Sequence, residues 1–459
     1  MFLNQEIRVK KTILSTLAAC LASLALNACG TDGASEAPTS ANTSDTLTQQ
    51  GYSVPAQWER HDAVWLGWWV SPYGGTEFPT ENLSIELVQA LSPHVPIDLI
   101  VQDAAEEAHV HDVLSGAGVN TRRVRFHQIP HNDFWLRDTG GVFTRTPSGE
   151  VSVLDWGYDF WSYANYTDDF AQHDERIDRD IAAAVQVPAF RCSMIHEGGN
   201  ADVDGNGTAI VTESVARRRN PFMNLAEMTR ELRRCYGLRQ VIWIPDGLVE
   251  DQAIMRGVLP GGVYNPGGTD GHIDEFIRFA PNNTVLLAEI RAEDINRIDS
   301  GERQRALINR DRLEAAYRIM RAARDANGRP YRIVRMPVAE PDYYDLNPGD
   351  PFYDLYTSLS PLEDGTVINE GDRLRIVSTT SYLNFFVSNG VVVVPTYAFS
   401  IPGALSERKD REAIATLRAA FPGRRIVPLQ WVLGANRGAG GPHCMTQQQP
   451  ASTNAVSAP

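Results

Sequence analysis

Cysteine is scarce: the 459 residues contain five. None stands in a CxxC pair or a Cys/His finger spacing, which argues against a structural zinc site. A glycine-rich phosphate loop and a dinucleotide fingerprint are both missing, so nothing points to a nucleotide cofactor. Positive charge is short as well. Forty-two Lys and Arg face 57 Asp and Glu, a net charge of −15. That balance disfavours nucleic acid or an anionic membrane surface as main partner and mildly favours cationic substrates. No Pro/Ser-rich linker interrupts residues 53–450, which read as one domain. With 43% hydrophobic residues the chain can bury an ordinary globular core.

One long uncharged apolar run exists, Thr12 to Ala28, preceded by Arg8, Lys10 and Lys11. It is short for a membrane span and ends in small residues, so residues 1–28 have the form of a secretory signal. The run closes on Leu26-Asn27-Ala28-Cys29, which resembles a bacterial lipobox. That resemblance implies lipidation of Cys29 and an exported, membrane-anchored lipoprotein. A plain cleaved signal peptide, leaving a periplasmic or secreted protein, is the alternative. Residues 29–52 are rich in Ser, Thr, Ala and Asn and read as a flexible tether, and 451–459 as a short tail. An oxidising compartment would allow a Cys192–Cys235 bridge and leave Cys444 free; two unpaired buried cysteines fit the sequence equally well.

Between these ends, short apolar runs alternate with amphipathic stretches. Ala63–Leu66, Ile97–Val101, Val241–Ile244, Val285–Leu287 and Val391–Val394 predict strands. Leu83–Leu91, Leu225–Cys235, Gln304–Asp325 and Glu407–Phe421 predict helices, the third with Leu313, Tyr317 and Met320 on one stripe. Alternation of this kind argues an α/β fold. Residues 337–371, rich in Asp, Pro and Tyr, have weak periodicity and predict a long surface loop or insertion.

Reactive residue types gather in four places. Cys444 follows the turn Gly440-Gly441-Pro442-His443, and a thiolate on such a turn is a candidate nucleophile. The other three are Asp133–Gly141, His196–Asn200 with Asp202 and Asp204 behind it, and Gly267–Phe276. Carboxylates, a histidine and a cysteine suit attack on a guanidinium, a planar cation that paired carboxylates grip. Blander readings stand beside these. Asp138 next to Arg137 also fits a structural ion pair, and Glu197 before two glycines fits a turn cap. Asp202, Asp204 and Gly205 lack calcium-loop spacing and predict a turn. His272 and Asp274, at i and i+2, would face one side of a strand, but a further metal-ligand set is missing. The run Arg217-Arg218-Arg219 reads as a solvated face or as a partner for a peptide's carboxylate.

Together the motifs Trp135-x-Arg137-Asp138-Thr139-Gly140, Glu197-Gly198-Gly199-Asn200, Gly271-His272-Ile273-Asp274 and His443-Cys444-x-Thr446-Gln447-Gln448-Gln449-Pro450 resemble the agmatine deiminase and bacterial peptidyl-arginine deiminase family. Arg219-Asn220-Pro221 and Tyr382-Leu383-Asn384-Phe385-Phe386 are weaker matches. The resemblance implies a five-bladed α/β propeller, the pentein fold, and hydrolysis of a guanidine without cofactor or metal. It implies Cys444 as nucleophile and His272 as acid/base. Asp138 and Asp274 would grip the guanidinium, Glu197 would pair with His272 or a substrate nitrogen, and Trp135 and Asn200 would line the substrate. The implied partner is a small cationic guanidine or a peptide's arginine, with membrane contact only through the lipid anchor. Two stretches depart from the agmatine-specific pattern: a Gly/Pro-rich one within 252–268 and an enlarged acidic one at 341–371. They leave agmatine, peptidyl-arginine and free arginine open, and an amidinotransferase is a remoter reading.

Overall fold

The alternation read from the sequence resolves into small sheets of one repeated design. The structure is a computed structural model that describes residue 47 and residues 50–70, 75–163, 169–296 and 300–452. The signal segment, Cys29 and most of the tether and tail lie outside the described residues.

Eighteen strands are described. The first sheet joins β1 (His61–Gly67), β2 (Ile97–Val101) and β3 (Val124–Gln128) to β18 (Thr446–Pro450), which pairs antiparallel with β1. The second holds β4 (Val142–Arg145), β5 (Val151–Gly157) and β6 (Ala189–Ile195). The third holds β7 (Ala201–Val203), β8 (Thr208–Thr212) and β9 (Gln240–Ile244), and the fourth β10 (Ile277–Ala280), β11 (Thr284–Glu289) and β12 (Arg332–Pro337). The fifth holds β15 (Phe386–Ser388), β16 (Val391–Pro395) and β17 (Arg425–Leu429). In each sheet an antiparallel pair is followed by a parallel one. Parallel neighbours need a crossover. Helices Thr80–Leu91, Ile177–Ala184, Leu225–Tyr236, Ser300–Ala322 and Ala404–Ala420 lie in one such crossover of each sheet, and Ala104–Gly116 lies in the second crossover of the first sheet, from β2 to β3.

The strand and helix positions match the sequence periodicity, because central strands such as Val391–Pro395 are buried throughout. Three expectations need correction. Leu47 and Tyr52 are buried in a cluster with Val54 and Cys192, so the tether ends sooner than residue 52. Residues 337–371 are not a bare loop. They contain β13 (Tyr343–Leu346), paired with β14 (Leu374–Val377), and the helix Pro351–Ser358. Leu346, Tyr353, Tyr356 and Leu362 form a local core that also takes in Ile254 of the other inserted stretch. Finally, His272 and Asp274 do not lie on a strand. The His272 amide donates to Asp251 (2.9 Å) and to the Thr269 hydroxyl (3.1 Å) instead of to a neighbouring strand, and Ile273–Glu275 is a 3-10 turn.

Cys192 and Cys235 form a disulfide, leaving Cys444 as the free cysteine among the described residues.

Candidate active site

Each candidate side chain sits in a segment that links one sheet to the next. Asp138 lies between the first and second sheets, Glu197 between the second and third, and His272 and Asp274 between the third and fourth. Cys444 closes the series between β17 and β18. The fourth-to-fifth link supplies Asn384, which the residue types alone did not single out.

The links converge on the sulfur. Asn384 Nδ2 donates to Cys444 Sγ (3.0 Å) and to Glu275 Oε1 (2.7 Å), while its Oδ1 accepts from the His443 amide (2.9 Å). Asp274 Oδ2 is 3.6 Å from Sγ and Glu275 Oε1 is 4.0 Å away. Cys444 is 4% exposed, Asp138 8% and His272 1%, so the chemistry is sealed from bulk water. Burial, with Asp274 and Glu275 beside it, pushes the Cys444 thiol well up.

His272 lies between two carboxylates. Its Nδ1 is 3.8 Å from Asp138 Oδ2 and its Nε2 3.6 Å from Glu197 Oε2, ion-pair distances too long for hydrogen bonds. Burial pulls the imidazole down, but the charges of Asp138 and Glu197 outweigh it and raise His272 to about 9. It is therefore an imidazolium at neutral pH.

Glu197 keeps its charge through Arg219, whose Nε donates to Oε1 at 2.6 Å. Arg219 outweighs burial and lowers Glu197 to about 2. The arginine run is thus divided, with Arg217 exposed, Arg218 half-buried and Arg219 buried. Arg219 is buried on Glu197, Arg218 meets Glu363 (2.9 Å), and Arg217 meets Glu213 (2.6 Å).

Asp138 does not pair with its neighbour. Arg137 turns to Gln447 and Gln448 (both 2.8 Å) and so ties this link to β18. Asp138 accepts from the Trp161 indole (2.9 Å) and the Gly199 amide (3.0 Å). A Cβ on Gly199 would stand 2.5 Å from His272 Nδ1 and 2.8 Å from Asp138 Oδ1, so only glycine admits both groups. Trp135 is buried against Gly440, where a Cβ would meet its ring at 2.5 Å.

Asp274 is oriented by a relay. Arg278 donates to Gln57 Oε1 (2.6 Å), which turns Gln57 Nε2 toward His443 Nε2 (2.8 Å). His443 is kept neutral by burial and by Arg137 and Arg278, so its Nδ1–H donates to Asp274 Oδ2 at 2.6 Å. Asp274 Oδ1 has no hydrogen-bond partner among the described residues. Burial pushes this carboxyl up to about 7, with His272 opposing only in part.

Asn200 is held by its neighbours: its amide donates to the Thr212 carbonyl (3.2 Å) and accepts from the Thr212 amide (3.1 Å), which fixes the Gly198–Asn200 turn to β8. Asp204 accepts from the Asn206 and Thr208 amides (2.7 and 2.9 Å), the expected turn.

A thiol, an imidazolium and several carboxylates around one closed space fit attack on a planar cation. The sequence profile of the Porphyromonas-type peptidyl-arginine deiminase family matches residues 53–450. The chain belongs to that family. It is accordingly a hydrolase that cleaves a C–N bond of an amidine group. An agmatine deiminase of Pseudomonas aeruginosa (strain LESB58) is 30% identical over 427 residues, covering 90% of this chain and all of the relative. One of Medicago truncatula is 26% identical, covering 89% of this chain and 98% of the relative. Among solved structures, the agmatine deiminase of Enterococcus faecalis matches with a TM-score of 0.66 at 22% identity, over 89% of this chain and 98% of that one. That of C. jejuni matches with a TM-score of 0.58 at 18% identity, over 87% and 95%. These two likenesses speak for the fold.

Proposed function

We propose that this deiminase converts agmatine and water to N-carbamoylputrescine and ammonia through a covalent thioether on Cys444. The observation that carries the reading is the meeting of one buried thiol with the His272 imidazolium and the carboxylates of Asp138, Asp274 and Glu197. Asp138 and the unpartnered Oδ1 of Asp274 hold the guanidinium. Cys444 attacks its carbon, and His272 hands a proton to the departing ammonia. His272, now neutral, takes a proton from water, whose oxygen adds to the amidino carbon and expels the sulfur. Glu197 and Asp138 favour the imidazolium each time it forms. Trp135 walls the alkyl arm. No cofactor enters the scheme.

Agmatine is favoured by the near-complete coverage of relatives named for it and by the burial of every site residue, which suits a small free guanidine better than a chain-borne one. The net charge of −15 steers a dication inward, an effect salt screens. A peptidyl-arginine substrate is the second reading, supported by the family's own name. Five sheets of one connectivity support a five-bladed α/β propeller with the linking segments around its axis. We also infer export with a lipid on Cys29, a reading that the Cys192–Cys235 disulfide favours because such bonds persist in oxidising compartments.

The deciding experiment measures ammonia and ureido product from agmatine, arginine and an arginine peptide on one preparation. Agmatine should lead in kcat/KM. A peptide preferred by about tenfold or more overturns the agmatine assignment. Turnover only with an acceptor amine present would instead make the protein an amidinotransferase.

A further inference from the structure

We propose that Glu275 is a catalytic residue of this site, the group that takes the proton of the Cys444 thiol as the sulfur attacks. The proposal rests on the guanidine-hydrolysis reading above and fills a gap in it. His272 is already an imidazolium at neutral pH and must stay so to protonate ammonia, so it cannot also receive the thiol proton. A second acceptor is required within reach of the sulfur.

Two carboxylates reach it. Asp274 Oδ2, at 3.6 Å, is occupied by His443, and its other oxygen is the one left for the substrate cation. Glu275 Oε1, at 4.0 Å, shares the Asn384 amide with Sγ, so one side chain holds thiol and carboxyl face to face. Glu275 is 3% exposed and its Oε2 has no hydrogen-bond partner among the described residues. The groups around it are Asp274 on its own turn, Asp251, Cys444, Ser381, Tyr397 and Arg278 of β10. Burial, then Asp274 and Asp251, push its carboxyl well above the usual range, so it holds a proton firmly once it has one, while the charge of the bound guanidinium pulls the other way and leaves the carboxylate to accept it.

The protons balance. The S–H bond breaks and an O–H bond forms on Glu275 while sulfur bonds to the guanidinium carbon. His272 then gives its proton to the leaving nitrogen and recovers one from water. When the second tetrahedral adduct collapses, sulfur leaves as thiolate and regains its proton from Glu275. The proton shed by the ureido hydroxyl passes to solvent, where ammonia takes it up.

Glu275→Gln in the full-length protein keeps an oxygen for Asn384 but cannot accept a proton. Its kcat/KM for agmatine should fall by about 100-fold, with loss of the acid-side limb of the pH profile. Formation of the thioether, followed by mass spectrometry in a single turnover, should slow in parallel. Glu275→Ala should regain activity with added formate, which a merely structural role would not allow. A Glu275→Gln enzyme with the wild-type rate and pH profile overturns the proposal. So does a folded Glu275→Ala variant that formate leaves inactive. Alkylation of Cys444 by 2-chloroacetamidine, an amidine that needs no agmatine specificity, separates the two claims. An unaltered alkylation rate in Glu275→Gln sinks the role of Glu275, whereas a wild-type enzyme idle on agmatine sinks only the substrate.

Discussion

Replacing Glu197 by glutamine should draw the pH dependence of turnover toward acid by about two units. Glu197 Oε2 stands 3.6 Å from His272 Nε2. A unit charge pair near this separation, at an effective dielectric of about 20, is worth about 4 kcal/mol, or roughly three pKa units. Arg219, bonded to the other oxygen at 2.6 Å, cancels part of that field, which leaves about two. His272 would then titrate near about 7 instead of about 9.

The sign follows from which form works. Imidazolium is the acid that expels ammonia, so turnover is lost as pH rises through the value of His272. Wild type should keep its kcat to about 9, whereas Glu197→Gln should decline from about 7, with about tenfold less imidazolium at pH 8. The same linkage acts on stability. A histidine raised in the folded state contributes fully below its ordinary 6.5, and the contribution fades as pH climbs through about 9. Arg219 retains the Thr269 carbonyl at 2.8 Å and Asp159 at 3.8 Å, but losing half of a buried pair should still cost about 3 kcal/mol. The assay is kcat against pH on protein shown folded by thermal melting. A basic limb that stays near 9 in Glu197→Gln would refute the carboxylate origin of the imidazolium.

Three further outcomes are expected. Cys444→Ser should abolish turnover yet remain folded and bind substrate, as calorimetry with agmatine would show; near-normal turnover removes the covalent route. Asp138→Asn and Asp274→Asn should each raise the barrier in kcat/KM by at least about 2 kcal/mol, while chelators leave the rate unchanged. Mass spectrometry of the mature N-terminus should find a lipidated Cys29, and an intact Met1 in soluble cytosol would contradict both export readings.

The catalytic types were legible because chemistry restricts them: a lone cysteine after glycines, His272 and Asp274 two apart, carboxylates beside glycine turns. Strands and helices were legible from apolar period. What the period could not carry was the partner of each group, since partners come from distant links. Arg219 reads as one of three surface arginines until it is seen against Glu197. Asn384 looks like an interruption in an apolar run, yet the repeat offers a signal. The five three- and four-stranded sheets have five links, four of them carry a reactive residue, and the fifth brings Asn384 to the same sulfur. Glu275 was hidden for the opposite reason, as a plain acid beside a more obvious aspartate.

The inserted stretch before His272 raises a mechanical question that the neck of the loop answers. Asp251 accepts from the Thr269 amide (2.8 Å), the Thr269 hydroxyl (2.7 Å) and the His272 amide (2.9 Å), closing residues 252–268 into a stapled loop. Residues inside the staple can vary without moving His272, because the closing bonds and not the loop's length fix its ends. Beyond the neck, the loop joins the second insertion: Tyr356 donates to the Asn265 carbonyl, and Tyr264 bridges to Ile376. That joint module grips the nucleophile's approach, since Asp342 binds Arg437 (3.0 Å) and the Tyr344 hydroxyl bonds the Arg437 carbonyl (3.1 Å). It also holds the Asp138 side, where Tyr163, two residues from Trp161, donates to Gly268 at 2.8 Å. Asp251→Ala removes three buried hydrogen bonds and should cost about 3 kcal/mol of stability. It should also lower kcat more than it raises KM, because His272 loses one of its two backbone anchors and the Thr269 side chain that forms the other loses its own hold, while the Asp138 and Asp274 grip persists. Melting and steady-state kinetics read both. Wild-type kcat in a destabilised Asp251→Ala enzyme would mean that His272 is held by its carboxylates alone and that the staple serves only the fold.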